Sequence, residues 1–411
     1  MRIVEINSCN FGSTGNIMQG IADVAAKHGH STLTCVPKSR DNSKKVIENQ
    51  IFIGNRISRN LHLKLGRQTG YQGCFSVFST WNFLRKLSKY KPDLIHLHNL
   101  HNCYINQEML FTWIKKYNVP VVWTLHDCWS FTGKCPHFTM AKCDRWKNGC
   151  GQCKEVESYP ESKVDRTQKM WSKKKKCFTG LSNMTIVTPS KWLADLAKES
   201  FLQDYPVQVI NNGIDLKVFK PTESNFRIKH GIGDKKMLLG VAFGWGERKG
   251  LDVFLELAKK LDAEKYQIVL VGTDESIDKM LPENIISIHR TQNQKELAEI
   301  YTAADVFVNP TREDNYPTVN MEAIACGTPV ITFQTGGSPE ILDESIGLVA
   351  KSNTTDGILE CIHDLESIAE KSKENCLARA RSFDKEGRFE EYVSLFEKMK
   401  YSARDFGKIK D

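Results

Sequence analysis

The sequence has no long hydrophobic run: no stretch of its 411 residues approaches the roughly 18 consecutive apolar residues of a membrane-spanning helix. It opens with MRIVEIN, a strand-like pattern, and no apolar segment typical of a signal peptide follows. A chain without a membrane span or a secretion signal is expected in the cytoplasm. Its 13 cysteines are therefore expected to be reduced or metal-bound, and not paired in disulfides.

The sequence also lacks internal repeats longer than one strand–helix unit. Its single low-complexity run is the four lysines Lys173–Lys176. The composition agrees with a large enzyme, and a length of 411 residues favours two domains.

The charge is distributed unevenly along the chain. Residues 1–210 contain 30 lysines and arginines against 15 acidic residues, whereas the remainder contains 27 against 34, and the overall net charge is +8. A basic half joined to an acidic half indicates that the basic half meets something anionic. An anionic membrane surface fits this charge, and so does nucleic acid. A solvated basic surface without a partner is the plain alternative.

Strand-like and helix-like patterns alternate along the chain, which favours parallel sheets covered by helices on both faces. A first series of strand patterns comprises RIVEIN, TLTCV, DLIHLH, VPVVWTL and MTIVTP, with helix patterns IMQGIADVAAK, FLRKLSKY, QEMLFTWIKKY and KWLADLAKESF between them. A second series comprises MLLGVAFG, YQIVLVG, ADVFVNP and TPVITF, with helix patterns LDVFLELAKKL and KELAEIYTAA. The Asn-Gly turn and the polar, proline-bearing stretch in VQVINNGIDLKVFKPT predict a domain boundary close to residue 210.

Residues 305–337, ADVFVNPTREDNYPTVNMEAIACGTPVITFQTGG, form the most informative stretch. An apolar strand pattern is followed by a polar loop, and a helix pattern then opens after Pro317 and ends at Gly327. In an open parallel sheet, ligands bind where strands end and helices begin. Amides at a helix start bind phosphate, and carboxylates hold sugar hydroxyls, so this junction indicates a nucleotide-sugar site. The acids of the junction are Glu313, Asp314 and Glu322.

This stretch resembles the donor-site signature of the family 4 glycosyltransferases, in which two glutamates separated by seven residues precede A-x-A-x-G-x-P-V. Glu322 matches the second glutamate, and Asp314 stands in place of the first with a side chain one methylene shorter. The tail of the signature is matched by Ala323, Ala325, Gly327, Pro329 and Val330. The resemblance implies the α/β GT-B fold, two Rossmann-like, doubly wound domains that face an interdomain cleft. An ordinary strand–helix–strand unit with chance loop acids is the alternative.

The resemblance implies three segments. Residues 1–209 are expected to form an acceptor-binding domain with a cysteine-rich insert at about 128–160. Residues 210–382 are expected to bind the nucleotide-sugar donor. Residues 383–411, whose sequence FDKEGRFEEYVSLFEKMK has a helical pattern, are expected to form a helix that crosses back to the first domain.

Two places in the first half carry residues typical of the site. The loop SCNFGSTGNIM holds Gly12 and Gly15 at a helix start, which suits a phosphate cradle, although many such turns carry glycines for steric reasons. His126 directly follows an apolar strand, where a lone histidine is commonly structural. The resemblance places Gly15 under the donor phosphates and His126 against the donor sugar. Asp127 is expected to orient the imidazole or to cap the next segment.

Three histidines in HLHNLHN have the spacing of a metal cluster, but no carboxylate lies near them in the sequence. We expect them to line or shape the cleft, with metal binding as the lesser interpretation. These residues are His96, His98 and His101.

GWGERKGLDVF places Lys249 at a helix start. A fixed ammonium there stabilises the negative charge that develops on the leaving phosphate when a sugar–diphosphate bond breaks. The family usually has an arginine five residues earlier, where this chain has Gly244, and Arg248 is the candidate to replace it. Taken alone, this basic pair would be a solvated helix start. Further donor contacts are expected from Gly272, Arg290, Tyr316, Thr318 and Val319.

Together these features predict a glycosyltransferase of the hexosyl type that moves a sugar from a nucleotide-diphosphate-sugar to a glycan or lipid-linked glycan acceptor. Surface polysaccharide or capsule biosynthesis, with peripheral contact at the inner face of the membrane, is the expected setting. The resemblance implies retention at the anomeric carbon and no required catalytic divalent metal. It further implies that Lys249 holds the diphosphate and that Glu322 accepts ribose hydroxyls. Asp314 and His126 would hold the transferred sugar.

Two other functions stay open. A nucleotide-sugar 2-epimerase of the same fold would need acid–base residues at C2 of the sugar and no acceptor, and the acid-rich loop argues against it. A basic, zinc-containing nucleic-acid-binding protein would show a steep dependence of affinity on salt, and the intact donor loop argues against it.

The segment CWSFTGKCPHFTMAKCDRWKNGCGQCKEVESYP has little periodicity, and a long loop without a core of its own usually needs a tie. Cys150 and Cys153 form a C-x-x-C pair, and Cys135 and Cys143 would complete a tetrahedral set that suits structural Zn²⁺. Disulfides and four free buried thiols are the alternatives.

KMWSKKKKCF places Lys173–Lys176 beside Trp171 and Phe178. Basic segments with aromatic residues lie on anionic leaflets, so this segment is expected to touch a membrane. A solvated helix face is the alternative.

Overall fold

The computed structural model describes residues 1–45, 47–366 and 369–407, and it leaves out the side chains of residues 365–372 and 401–407. The chain divides into two compact units. Unit 1 contains Met1–Asn211 and the C-terminal segment from Glu386 onward, and unit 2 contains Asn212–Lys385. Each unit is an open parallel sheet with helices on both faces, which is the doubly wound α/β arrangement that the alternating patterns predicted.

The sheet of unit 1 has seven parallel strands in the order β3-β2-β1-β4-β5-β6-β7. The strands are β1 (Arg2–Ile6), β2 (Ser31–Pro37), β3 (Gln50–Ile53), β4 (Leu94–Leu97), β5 (Val121–Thr124), β6 (Met184–Thr188) and β7 (Val207–Val209). The helices are α1 (Gly12–Lys27), α2 (Arg56–Thr69), α3 (Val77–Tyr90), α4 (Gln107–Tyr117), α5 (Thr167–Phe178) and α6 (Lys191–Glu199). Val4 and Ile6 enter one core together with α3 and α4, whereas Ile3 enters the opposite core with α1, because successive strand residues face opposite sides.

The sheet of unit 2 has six parallel strands in the order β10-β9-β8-β11-β12-β13. The strands are β8 (Lys236–Val241), β9 (Tyr266–Val271), β10 (Ile285–Ile288), β11 (Val306–Asn309), β12 (Val330–Thr332) and β13 (Gly347–Val349). The helices are α7 (Phe226–Lys229), α8 (Leu251–Lys260), α9 (Glu275–Asp278), α10 (Gln294–Ala303), α11 (Thr318–Ala325), α12 (Thr355–Glu366) and α13 (Ala369–Ala380). Met237 packs with α10 and α11 in one core, and Leu238 packs with α8 and α12 in the other.

The last helix, α14 (Lys385–Gly407), completes the core of unit 1. Its Phe389, Tyr392 and Phe396 are buried in the same core as Ile17 and Ile21 of α1. A helix is thus present in the tail that the sequence predicted to be helical, and residues 408–411 of that tail lie outside the described residues. Neither α14, the longest of the described helices, nor any other among them combines the length and apolar character of a membrane span.

Every strand pattern named from the sequence is a strand in the structure, but several elements were not predicted, among them β3, β10, β13, α2, α12 and α13. The reason for α2 is that hydrophobic periodicity detects a helix by its buried face. In α2 the buried residues are His62 and Gly66, whereas its large apolar residues Ile57 and Leu61 are exposed.

The cysteine-rich insert between β5 and α5 is irregular, as predicted, apart from one 3₁₀ turn at Arg145–Lys147. The premise that it lacks a core is wrong. Trp129, Phe131 and Trp146 are buried, and the ring of Phe138 stacks on that of Trp146 with centroids 5.1 Å apart. Aromatic packing therefore holds this loop against the sheet.

Two buried lysines also fasten the insert. Lys134 Nζ donates hydrogen bonds to the carbonyl oxygens of Val156 and Ser158 at 2.7 and 2.6 Å. Lys174 Nζ donates to the carbonyls of Trp129 and Thr132 at 2.6 and 3.1 Å. Each ammonium group thus binds two carbonyl groups of the insert that are distant from it in the sequence. The amino-acid composition does not reveal such contacts.

The lysine run is not the aromatic membrane surface that the sequence predicted. It lies on α5, where Trp171 and Phe178 are buried in the core of unit 1 and Lys174 is 2% exposed. Helical geometry is the reason, since residues 171, 174 and 178 recur at spacings of three and four and therefore share the inward face.

Gly20 lies where α1 meets α14, and a Cβ on it would sit 2.1 Å from Cε2 of Phe389. We predict that Gly20→Ala lowers the free energy of unfolding by about 1–3 kcal/mol, the usual cost of overpacking a core. Chemical denaturation followed by circular dichroism measures the change. The matched control is Gly387→Ala, where nothing lies within 4 Å of the added carbon and the effect should be neutral or stabilising. Equal effects in the two variants would contradict the contact.

Candidate active site

The candidate donor site lies at the carboxyl end of the unit 2 sheet. The strand order reverses between the neighbours β8 and β11, and such a reversal leaves the loops that follow the two strands side by side. Lys249 lies in the first loop and Asp314 in the second, and Lys249 Nζ is 2.7 Å from Asp314 Oδ2. The two side chains are 17% and 25% exposed, so the ion pair is shielded but reachable by a ligand.

A framework of hydrogen bonds fixes the two loops. The amide of Arg312 donates to the carbonyl of Arg248 at 2.9 Å, and the Arg312 guanidinium makes two hydrogen bonds with the Asp252 carboxylate at 2.7 and 2.6 Å. Arg248 in turn donates to the carbonyl of Glu313 at 3.3 Å. Arg312 was not predicted as a site residue, because its partners come from another loop and nothing local in the sequence points to them.

Gly244, which replaces the family arginine, has a φ of +82°. Residues with side chains rarely adopt this left-handed region, whereas glycine does so without strain. Nothing lies within 4 Å of where its Cβ would be, so backbone conformation and not crowding disfavours an arginine here. That Arg248 supplies the second basic contact stays a prediction.

Gly272 directly follows β9 with a φ of +86°, and a Cβ on it would lie 1.8 Å from the carbonyl oxygen of Ala242. Its amide donates to the carbonyl of Ile288 at 2.8 Å. The loop after β9 thus packs closely on the residue that follows β8, next to the Lys249 loop. Arg290 is exposed in the loop after β10. Contact of Gly272 or Arg290 with a nucleotide stays a prediction.

Helix α11 begins directly after Pro317, as predicted, with Thr318 and Val319 as its first residues. Their amides lack partners within the helix, which is what makes a helix start a phosphate site. One turn further, the hydroxyl of Tyr301 donates to Glu322 Oε2 at 3.2 Å, and Thr318 forms a further side-chain hydrogen bond with this carboxyl. Burial raises the pKa of Glu322 to about 7 against the opposing effect of these hydrogen bonds, so near neutral pH both its protonated and ionised forms are populated.

The Gly-Gly turn after β12 supports the acidic loop from behind. A Cβ on Gly336 would lie 1.9 Å from the carbonyl oxygen of Asp314, and the Gly337 amide donates to the carbonyl of Asn315 at 2.7 Å. Tyr316, the next residue of the loop, is 5% exposed. The loop that carries Asp314 is therefore packed on both sides, which restricts the position of the carboxylate.

In unit 1, His126 follows β5 at the carboxyl end of the sheet. Its Nε2 lies 3.0 Å from Nδ1 of His98, and Nε2 of His98 lies 3.0 Å from Oε2 of Glu5. Glu5 and His98 are buried, and His126 is partly buried. Burial lowers the pKa of His98 to about 3 and that of His126 to about 4, so both rings are neutral at physiological pH.

His96 and His98 do not line a cleft, because their side chains are 0% and 1% exposed, and that they shape one stays a prediction. Both face Glu5, whose Oε2 is 2.8 Å from His96 Nδ1. Among the described residues, only this trio brings three potential metal-ligand atoms within 4.8 Å of one another. His98 Nε2 is hydrogen-bonded to Glu5 Oε2 at 3.0 Å, whereas His96 Nδ1 lies 2.8 Å from the same oxygen without the geometry of a hydrogen bond. Sequence reasoning missed Glu5, which lies 93 residues from His98.

Two roles were predicted for Asp127, and one of them was to cap the next segment. Asp127 does so, because its Oδ1 accepts a hydrogen bond from the Trp129 amide at 2.9 Å. Its Oδ2 lies 3.2 Å from Nε2 of His101. Nδ1 of His101 is 3.1 Å from the hydroxyl of Tyr159. Asp127 therefore holds His101 in a second network at the same edge of the sheet.

Gly15 lies in the first turn of α1, where a Cβ would be 2.6 Å from the carbonyl carbon of Asn10. The missing side chain thus makes room for the backbone of the preceding loop. The Asn10 amide group holds that loop by donating to the carbonyl of Asn42 at 3.0 Å and to Oε1 of Gln50 at 2.8 Å. Contact of Gly15 with donor phosphates stays a prediction.

The four cysteines of the insert, Cys135, Cys143, Cys150 and Cys153, line one cavity of about 190 Å³. The amide of Gly133 donates to Cys150 Sγ at 3.1 Å. A hydrogen bond from Cys135 lowers the pKa of Cys153 to about 6, and the same bond raises the pKa of Cys135. In the part of the chain that the structure describes, no three of these sulfur atoms lie within 4.8 Å of one another, so they do not yet form a ligand set.

Comparison with known proteins gives relatives along most of the chain. The description "Glycosyl transferases group 1" matches residues 222–383, and "Glycosyltransferase Family 4" matches residues 15–218. The putative colanic acid biosynthesis glycosyl transferase WcaC of Escherichia coli K12 is 27% identical over 62% of this chain and 63% of that protein, which is less than two thirds of its length. An uncharacterized 41.2 kDa protein in the cps region of Klebsiella pneumoniae is 24% identical over 78% of this chain and 83% of that protein.

Solved structures resemble the whole chain. Sucrose-phosphate synthase from Thermosynechococcus elongatus has a TM-score of 0.72 at 17% identity, covering 98% of this chain and 99% of that one. The Anabaena protein HepE in complex with UDP has a TM-score of 0.67 at 14% identity, covering 97% and 100%. At these identities the likeness shows the fold. The two parallel-sheet units, the donor loop and the two family matches show that this chain belongs to the family 4 glycosyltransferases and has the GT-B fold.

Proposed function

We propose that this glycosyltransferase moves a hexosyl group from a nucleotide-diphosphate-sugar to a glycan or lipid-linked glycan acceptor, with retention at the anomeric carbon. The observation that carries the proposal is the convergence of Lys249, Asp314 and the start of α11 at the strand-order reversal of unit 2. This arrangement joins a cation, an acid and phosphate-binding amides in one place.

Lys249 is proposed to hold the diphosphate. When the bond between sugar and phosphate breaks, negative charge grows on the leaving phosphate, and an ammonium fixed in advance stabilises that charge without reorganising. Without donor, Asp314 neutralises Lys249 across 2.7 Å. Donor binding then gives Lys249 a phosphate partner and leaves the Asp314 carboxylate to accept hydrogen bonds from the transferred sugar.

Glu322 is proposed to accept the ribose hydroxyls. Its pKa is about 7 before a donor binds. Hydroxyl groups that donate hydrogen bonds to the carboxylate favour its ionised form, so ribose binding would lower this pKa. Tyr301 and Thr318 hold the carboxyl in place. The donor's own phosphate oxygen would take the acceptor proton on the same face of the sugar. That route retains configuration without a nucleophilic side chain, and Lys249 with the α11 amides would supply the positive charge in place of a required divalent metal.

The relatives support the setting. One is named for colanic acid biosynthesis and another comes from a cps region, so assembly of a surface polysaccharide is the proposed pathway class. Structures of HepE contain UDP and UDP-glucose, which makes a uridine nucleotide the first donor to test. The comparisons give no support to a 2-epimerase or a nucleic-acid-binding protein.

We also propose contact with an anionic membrane, through the α2–α3 surface and not through the lysine run. This surface consists of the exposed apolar residues Ile57, Leu61, Val77, Phe78 and Trp81. The hydroxyls of Ser58 and Ser79 are 2.8 Å apart, so the starts of the two helices touch, and we take their exposed apolar residues as one surface. Phe78 is 86% exposed and Trp81 52% exposed.

The positive charge of this part of the chain indicates that the surface binds an anionic membrane. Residues 49–92 contain eight lysines and arginines and no acidic residue. The Arg85 guanidinium lies 4.8 Å from the centre of the Trp81 ring. Aromatic and aliphatic side chains on a basic segment suit the headgroup region of an anionic leaflet, where the basic groups meet phosphates and the rings enter the acyl boundary.

We propose thirdly that the cysteine cavity binds one structural Zn²⁺. The C-x-x-C turn has Gly151 at a φ of +147°, and the Gly133 amide already donates to a sulfur, as amides do around metal thiolates. Buried Lys134 and Lys174 lie beside the thiols and would offset the charge of four thiolates. The sulfur atoms would have to rotate toward one another to bind the ion.

Lys249→Ala and Glu322→Gln should each lower the rate of transfer at least ~100-fold, the scale for loss of one electrostatic contact in the transition state. The measurement is initial transfer, or slow donor hydrolysis, with a panel of nucleotide-sugars that begins with UDP-sugars. Lys259→Ala, which removes an exposed lysine of α8, is the matched control and should be near normal. Near-normal turnover of either site variant would show that the site is assigned wrongly.

The double variant Phe78→Ser with Trp81→Ser should weaken co-sedimentation with phosphatidylglycerol-containing vesicles at least ~10-fold, since burying each ring contributes about 1.5–3 kcal/mol. Ile228→Ser with Phe243→Ser, which removes comparably exposed residues of unit 2, is the apolar control. Lys175→Gln with Lys176→Gln is the charge control on α5. Equal binding to neutral and anionic vesicles, or no effect of the α2–α3 variant, would remove the proposal.

Elemental analysis of protein purified without chelator should give about one zinc per chain. Cys150→Ser with Cys153→Ser should abolish the zinc and lower the melting temperature, because binding energy of a structural metal is folding energy. Cys177→Ser, outside the cavity, is the control and should keep the zinc. Zinc-free protein whose melting is unchanged by the double variant would rule the site out.

A further inference from the structure

One residue of the cysteine-rich insert presents an aromatic ring at the carboxyl end of the unit 1 sheet. Tyr159 is 56% exposed, and its hydroxyl donates a hydrogen bond to Oδ1 of Asn102 at 2.5 Å and lies 3.1 Å from Nδ1 of His101. Both partners belong to the loop after β4, beside the place where the strand order of this sheet reverses between β1 and β4. The hydroxyl thus fixes the ring, and more than half of the residue remains open to a ligand.

The loop that holds this hydroxyl has an uncommon backbone. Asn102 and Cys103 are consecutive non-glycine residues with φ of +75° and +55°. Such conformations are costly, persist where the surrounding structure enforces them, and concentrate at functional sites. Among the described residues, the side-chain nitrogen of Asn102 has no hydrogen-bond partner, and it is not one of the buried unpaired atoms. It is therefore a donor that a ligand is able to reach.

A second group at this place is Arg59 of α2. Arg59 shares the inward face of the helix with His62 and Gly66, because the three positions recur at spacings of three and four. A Cβ on Gly66 would lie 3.3 Å from Sγ of Cys103. The face of α2 that carries Arg59 therefore packs against the loop after β4.

The charge of Arg59 reaches the tyrosine. Burial is the main cause that raises the pKa of Tyr159, and the guanidinium of Arg59 opposes that rise. It also opposes the rise that burial causes in the pKa of Cys103. The next residue of the insert is held from the same side, since Nε2 of Gln72, just after α2, donates to the carbonyl of Pro160 at 3.0 Å. Arg59 and Tyr159 thus border one place.

The guanidinium of Arg59 has no counter-charge in the part of the chain that the structure describes. Its Nε is buried without a hydrogen-bond partner. Two acids of the region are engaged elsewhere: Asp127 lies 3.2 Å from Nε2 of His101, and Asp41 lies 2.7 Å from Nζ of Lys44. A partly buried cation without a partner is unfavourable. A guanidinium suits an oxyanion that accepts two parallel N–H hydrogen bonds.

We propose that Arg59, Tyr159 and Asn102 form an acceptor subsite for a sugar that carries an anionic group. The tethered ring offers a rigid apolar face to a sugar ring, the amide donates to a hydroxyl, and Arg59 holds the oxyanion. That this sugar is the acceptor rests on the proposed function, whereas affinity for an anionic sugar is a property of the chain alone. The oxyanion is either the phosphate that links a glycan to its lipid or an acid group of the glycan itself.

Spectra of protein with ¹³C-labelled tyrosine rings report on this subsite, and Tyr159→Phe assigns the signal. Glucose 6-phosphate and glucuronic acid should shift the Tyr159 signal at lower concentrations than glucose does. Arg59→Gln should weaken binding of the two charged probes at least ~10-fold, the scale of one hydrogen bond to a charged group, and leave glucose unchanged. Arg59→Lys should restore part of the difference.

Two control variants accompany the titration. Arg56→Gln removes an exposed arginine of the same helix and should leave all three affinities unchanged. Lys249→Ala, in the donor site, should also leave the titration of the Tyr159 signal unchanged. A loss in Lys249→Ala equal to that in Arg59→Gln would overturn the inference, because the probes would then occupy the donor site.

The probe that binds more tightly distinguishes the source of the anion. Preference for glucose 6-phosphate supports a lipid-linked phosphate, and preference for glucuronic acid supports an acidic glycan. Glucose bound as tightly as the charged sugars, inorganic phosphate bound as tightly as glucose 6-phosphate, or no shift with any probe overturns the inference, and the wild type decides these points even if Arg59→Gln fails to fold. Absence of hydrolysis of every nucleotide-sugar by the wild type would end the proposed function and leave the titration standing.

Discussion

The candidate donor site depends on one constraint, which is that β8 and β11 are neighbours in the unit 2 sheet. Lys249 and Asp314 are 65 residues apart in the chain, and they meet because parallel pairing brings the ends of these two strands together. A partly buried ammonium without a partner would be unfavourable. The pair therefore stabilises the loops that carry it, and Arg312 with Asp252 holds the same loops at a second point. Fold and site share one set of contacts here.

The parts of the site that could be predicted are those with local signals. Pro317 and Gly327 bound a helix pattern, so α11 and the place of Glu322 on it followed from the sequence. Glu5 carried no such signal. It lies on a central strand whose residues after Arg2 are all buried, so alternation no longer separates inside from outside. Glu5 lies beside His96 and His98 only because β1 and β4 are neighbours in the sheet. No short segment of the sequence shows which strands are neighbours.

The wrong interpretations have a common physical cause, which is that composition does not reveal which face of an element is buried. The run of four lysines suggested a membrane surface. On α5, however, Lys174 lies three residues after Trp171 and four before Phe178, so it shares their buried face. The cysteine-rich insert suggested a loop in need of a metal, yet its tryptophans and phenylalanines already pack against the sheet. The opposite error was made at α2, which was missed because its large apolar residues are exposed and a helix with few buried residues does not show a periodic pattern.

Unit 2 is inserted within unit 1, since the chain enters unit 2 at Asn212 and leaves it at Lys385. Phe389, Tyr392 and Phe396, which fill the core beside α1, are therefore synthesised only after the whole of unit 2. The apolar face of α1 therefore stays uncovered until unit 2 and the first turns of α14 have left the ribosome. Unit 2 needs no later segment and is able to close its sheet first. The order in which the two units are completed is thus the reverse of the order in which they begin, and unit 1 has the longer period of exposure to aggregation.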